Sequence, residues 1–194
     1  AIEEHFEKRL VENNRKREGP LIRFNEDLMW HEIADQTRPF PGAEKSGTGD
    51  YLVAEAEGFQ TSRILANPTM RGLYLKGLGL LDAFRRGELT TSAVFDAPLL
   101  AKYFALVDLL GAEHGSRWHN IRFYLNPVTS KLEPVSFDLF GGRPTKALSL
   151  SGMSTMSSHD PLTTHEALFH KQLFADAEFT KLYLAELERV SQPA

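Results

Sequence analysis

The chain of 194 residues contains no cysteine. That absence excludes a disulfide framework, a thiolate-bound zinc and a thiol nucleophile together. No uninterrupted apolar run approaches the roughly 18 residues that a membrane-spanning helix needs. Basic charge is not in excess either: 22 Lys and Arg face 26 Asp and Glu, for a formal net charge of −4. Without a broad positive field, non-specific binding to a nucleic-acid backbone is a poor reading. A glycine-rich phosphate loop is also missing. The pieces Gly77-Leu78-Gly79 and Gly141-Gly142 are too sparse and misplaced to cradle phosphates. No Gly-x-Ser-x-Gly elbow occurs, which sets aside a serine hydrolase despite seven histidines.

What is present is enough apolar material for a core. Hydrophobic residues make up 42% of the chain, thirteen of them Phe, at a length that suits one domain. Ala1 to Arg17 is charged and helix-compatible, and Gly19-Pro20 stops it. Leu21 to Phe24 reads as a short strand. From Asn25 the pattern weakens, and the prolines and glycines of Thr37 to Asp50 predict a loop. Tyr51 to Ala56 fits a strand or the start of a helix.

The middle is clearer. Asn67-Pro68 supplies a cap and a first-turn proline. Met70, Leu73, Tyr74, Gly77, Leu78, Leu81 and Phe84 then form one apolar stripe, with Gly87 as terminator. Asp96 caps a second helix, whose stripe runs from Leu100 to Leu110. The short link between these helices predicts an antiparallel pair. Ile121 to Leu125 and Leu132 to Phe137 read as a hairpin turning at Asn126-Pro127, and Pro134 places the return strand at an edge. Arg143 to Pro161 reads as a long surface loop. Thr163 with Glu166 fits a capping box, and Asp176 fits the cap of a last helix carrying Phe179, Leu182 and Tyr183.

Candidate chemistry gathers between Asp108 and Gly142. The hairpin should bring Asn120, at one end, next to Asp138, at the other. An amide oxygen beside a carboxylate suits a magnesium-phosphate site, because magnesium takes hard oxygen ligands and keeps several waters. Protein kinases use the same order: a metal-binding Asn, a hairpin, then a metal-binding Asp. Asp108 and His114 are the candidates for orienting a nucleophile. Bland readings stand beside each. Asp138 suits a turn before Gly-Gly, Asn120 suits a strand start, and Asp108, bordering an apolar stripe, suits an ion pair with an arginine such as Arg117. Trp118 suits a nucleotide base or simply the core. The spacing of His114, His119 and Asp108 matches no established zinc pattern.

In this stretch the sequence resembles the spore-coat CotH-like family of atypical kinases. The residues carrying the resemblance are Ala1-Ile2-Glu3-Glu4-His5-Phe6-Glu7-Lys8-Arg9, Gly19-Pro20-Leu21-Ile22-Arg23, and His119-Asn120-Ile121-Arg122-Phe123-Tyr124 through Pro134 to Asp138. It spans most of the chain and is strongest over residues 117 to 141. It implies an α+β, protein-kinase-like fold, mostly the helical larger lobe with a small β-hairpin. On that reading residues 1–57 are the lobe linker and residual strands, residues 58–194 are the helical lobe, and most of the smaller lobe lies upstream. It further implies ATP and Mg2+ as cofactors, a protein Ser/Thr hydroxyl as acceptor, Asn120 and Asp138 as metal ligands, and Glu4, Arg23 and Trp118 near the nucleotide. The chain departs from the pattern where the family has its catalytic Asp, for position 115 is Gly. Phe137 and Phe140 also replace the Trp and second Asp expected around Asp138. The alternative reading is therefore a catalytically inactive kinase-like module that binds nucleotide or a protein partner.

Overall fold

A computed structural model describes residues 5–36, 51–139 and 161–192. The anticipated loop Thr37 to Asp50, the break at Gly141-Gly142 and the expected nucleotide neighbour Glu4 lie outside these residues. So does the anticipated loop Arg143 to Pro161, except Pro161 itself, which opens a helix. Within them the architecture is α+β: eight helices and one four-stranded antiparallel sheet of order β2-β1-β3-β4. The strands are β1 (Leu21–Phe24), β2 (Ala56–Gly58), β3 (Arg122–Leu125) and β4 (Leu132–Val135). The hairpin β3–β4 pairs Arg122 with Val135 and Leu125 with Leu132. Pro134, which cannot donate to a ladder, stands on the edge strand as expected.

Strand alternation gives the sheet two faces. Ile22 and Phe24 of β1, with Phe123 and Leu125 of β3, enter the main core, where they meet Trp118, Phe95 and Phe169. The other face carries Leu21 and Tyr124, and α1 (Lys8–Asn13) covers it with Val11 and Leu10.

Local rules account for the helix ends. The Asn67 side chain accepts from the amides of Thr69 and Met70, starting α4 (Pro68–Arg85). Asp96 does the same for Leu99 at the start of α6 (Ala97–Leu110), and Gly111, at φ 60°, ends it. Asp176 caps α8 (Ala177–Ser191) through Glu178 and Phe179. α7 (Pro161–Phe174) begins at Pro161, so Thr163 lies inside it and is not its cap.

Helix partners differ from the expectation. α4 and α6 do not form an antiparallel pair. The four-residue α5 (Thr91–Val94) intervenes, α4 packs on the sheet, and α6 takes α8 as its main helical partner. Gly77 explains the first choice, because a Cβ there would lie 2.4 Å from Ile22 Cδ1. The missing side chain lets α4 settle directly on β1. α2 (Asp27–Gln36) and α3 (Thr61–Ala66) were not marked by periodicity. Among the described residues no helix is long and apolar enough to cross a membrane.

Candidate functional site

Three of the residues singled out by the sequence converge where β3 begins and β4 ends. After α6, Glu113–Ser116 forms one 3₁₀ turn carrying His114. A turn through Trp118 to Asn120 leads into β3, and the chain leaving β4 reaches Asp138. His114 joins the two ends. Its Nδ1 lies 2.9 Å from Asp138 Oδ2 and 3.0 Å from Asn120 Nδ2. Asn120 Nδ2 also donates to the backbone oxygen of His114 at 3.0 Å. That carbonyl can only accept, so it fixes which end of the amide faces the turn. The Asp138 carboxylate in turn calls for a proton on Nδ1. In that tautomer the Asn120 amide, itself a donor, makes no hydrogen bond to Nδ1 and is held by the His114 carbonyl. A neutral ring then carries its lone pair on Nε2.

Burial divides the cluster. Asn120 is 5% exposed, whereas the side chains of His114 and Asp138 are 40% and 47% exposed. Asp138 has φ 49°, a left-handed conformation that Asp tolerates better than most residues. The cluster thus has an anchored amide and two accessible groups.

Gly115 explains the departure noted in the sequence. A Cβ at this position would lie 2.2 Å from Leu139 Cδ2 and 3.2 Å from the Phe137 carbonyl. The segment following β4 fills the volume a side chain would use. A larger residue there would have to turn the Leu139 side chain aside and would still press on the Phe137 carbonyl. The side chain that meets Asp138 comes from His114 instead.

The remaining candidates sit elsewhere. Asp108 is 4% exposed where α6 meets α8, and its Oδ2 accepts from the Tyr183 hydroxyl. Burial, then the hydrogen bond to this carboxylate, push the Tyr183 hydroxyl above its ordinary pKa. Trp118 is 1% exposed and packs edge-on against Phe24 and His119, so the ring belongs to the core here. Arg23 lies on the second face of the sheet, bound to Glu57 by Nε at 2.8 Å and Nη2 at 2.7 Å.

The sequence reading passed over Arg122, Glu26 and Glu57. Arg122 alternates with apolar neighbours in β3, which reads as an outward, solvated position. The structure buries it to 2% exposure beneath Phe59 and Phe137. Its Nη1 donates to the carbonyl of His119, the residue before Asn120.

Among the described residues no group of three or more His, Asp or Glu side chains is arranged to hold a metal. Only a site of few protein ligands fits here. Asn120 Oδ1 takes no hydrogen bond from the described residues, and one Asp138 oxygen remains beyond the one at His114. These are hard oxygen donors of the kind magnesium accepts while keeping its waters. Compared with protein-family models, with curated proteins and with solved structures, the chain finds no match.

Proposed function

We propose that this chain is an ATP- and magnesium-dependent kinase-like domain of the CotH-like type, acting on serine or threonine hydroxyls of a protein. The observation that supports it is the convergence of Asn120 and Asp138, from the two ends of one hairpin, on His114. In this reading Asn120 and Asp138 hold magnesium, which when bound would neutralise charge on phosphoryl oxygens. Asp138 orients the imidazole through Nδ1. Nε2 then takes the proton of the acceptor hydroxyl, the role an aspartate plays in most protein kinases. Asn120, held by the His114 carbonyl, keeps the turn and its oxygen in place.

The test is calorimetry with Mg-ATP. Asp138→Ala should remove nucleotide binding, at least a tenfold loss of affinity, while His114→Ala should retain it. His114→Ala should also abolish transfer to hydroxyl acceptors. Unchanged Mg-ATP affinity in the Asp138 variant would sink the metal assignment.

A second reading has its own support. Gly115 leaves no carboxylate at the usual base position, and Asp108 is engaged with Tyr183. A module that binds nucleotide without transferring phosphate fits both facts. Tight Mg-ATP binding without phosphotransfer would select it.

A further inference from the structure

The second face of the sheet carries an unusual row of charges. Arg23 of β1 stands directly opposite Arg122 of β3, and Glu57 of β2 faces Arg23 on the other side. Like charges at directly opposed positions repel and weaken a strand pair. Neutralisation is uneven. Glu57 takes two of the three guanidinium nitrogens of Arg23 at hydrogen-bond distance. Among the described residues the carboxylate within ion-pair range of Arg122 is that of Glu26, whose Oε1 stands 3.8 Å from Nη2 and 3.7 Å from Arg23 Nη1. Neither distance makes a hydrogen bond. Arg122 Nε is buried with no hydrogen-bond partner among the described residues. Burial pushes this guanidinium down to about 10, Glu26 offsetting only part of that and Arg23 adding to it. A buried cation so poorly matched is costly unless something completes its shell.

We propose that Arg122 and Arg23 form a binding site for a phosphate group, and that Glu26 is an internal carboxylate which the phosphate displaces. Glu26 sits between the two guanidinium groups without bonding tightly to either, where a compact anion with more charge and more acceptor oxygens would be held better. Stacking on Phe137, at 4.6 Å from its ring centroid, and the bond to the His119 carbonyl fix the plane of Arg122. The site is therefore organised before the anion arrives. Entry is from the Glu26 side, since Glu26, Arg23 and Glu57 keep partial exposure while Arg122 does not. The inference does not rest on the kinase reading, because it needs neither metal nor transfer.

The structure supplies its own reporter. Trp30 is half exposed and donates from Nε1 to Glu26 Oε2 at 3.1 Å, so displacing Glu26 changes the indole's surroundings. The experiment titrates pyrophosphate against tryptophan emission in excess EDTA, at constant ionic strength, with chloride as control. Saturable binding is expected, several-fold tighter in Glu26→Gln, which loses the competing charge. Arg23→Gln and Arg122→Lys should each weaken it at least tenfold. Should Arg122→Lys fail to fold, the less buried Arg23→Gln still decides. ADP without metal separates the two carriers of a phosphate group: affinity equal to pyrophosphate assigns the site to the group alone, and tighter binding adds the nucleoside. Absence of saturable binding in both the wild type and Glu26→Gln would overturn the proposal. So would an affinity that ignores both arginine substitutions.

Discussion

Tyr124 has its hydroxyl turned into a covered face, donating to the Arg17 carbonyl at 2.6 Å, while the residue is only 2% exposed. Burial, with the Glu133 carboxylate adding to it, pushes the hydroxyl up to about 12. In the unfolded chain a tyrosine ionises near 10. The folded state therefore holds its proton over a window where the unfolded state has lost it. That contribution to stability is complete below pH of about 10 and falls away as pH rises towards about 12. Tyr124→Phe should flatten this decline, which urea melts of both proteins at pH 9, 10 and 11 will measure. Equal slopes would mean that the hydroxyl reaches water in the folded state. At this scale much was legible in the sequence. Asn67, Asp96 and Asp176 announced themselves because a cap needs only its own next three residues. Arg122 did not, since its burial depends on Phe59 and Phe137, which are far from it in the chain. Asn120 and Asp138 were expected as neighbours, but the histidine joining them was foreseen only as a stand-in base.

Between elements, close approach is decided by missing side chains. Gly19 lies against β3 just before β1. A Cβ there would stand 2.4 Å from the Leu125 carbonyl oxygen and 2.8 Å from the Tyr124 ring. The obstacle is backbone, held by the Leu125 amide bonding to the Pro20 carbonyl at 3.0 Å, so it cannot yield as a flexible side-chain tip would. Gly19→Ala should cost about 1–3 kcal/mol through overpacking, read as a lower urea midpoint with unchanged slope. An unaffected midpoint would show that the entry to β1 shifts freely. The helices α4, α6 and α8 were readable from their stripes, whereas their partners were not. Periodicity says that a helix has an apolar face, but not whether that face meets a sheet or another helix. Gly77 against Ile22 settles that question for α4 through a contact of high sequence separation. α2 escaped notice for a related reason. Its apolar residues cluster at Leu28-Met29-Trp30, of which Met29 is buried while Leu28 and Trp30 remain about half exposed.

Across the molecule, the sheet is tied to the helices through aromatic rings. Phe24, on the central strand β1, meets Tyr51 at 5.3 Å, Trp118 at 6.3 Å, Phe123 at 6.4 Å and Phe169 of α7 at 6.3 Å, all in edge-on geometries. Edge-to-face pairs of this kind add to the stabilisation from area buried. The ring also couples distant parts of the chain, because its neighbours come from the segment before β2, the turn before β3, β3 itself and α7. Phe24→Ala should cost about 3–5 kcal/mol, a large share of what an ordinary domain has. If the molecule folds as one cooperative unit, Trp118 emission and far-ultraviolet circular dichroism will follow the same, lowered urea transition. The informative contrast is with α6 and α8, joined by Tyr183 donating to buried Asp108. Should helical signal persist after the tryptophan has become exposed, that pair is a separately stable unit. The His114 cluster, built on the turn between α6 and β3, would then sit on a seam between two units, and, on the proposed function, Phe24→Ala should weaken Mg-ATP binding well below the midpoint of helix loss. A single shared transition would place the cluster on one rigid scaffold.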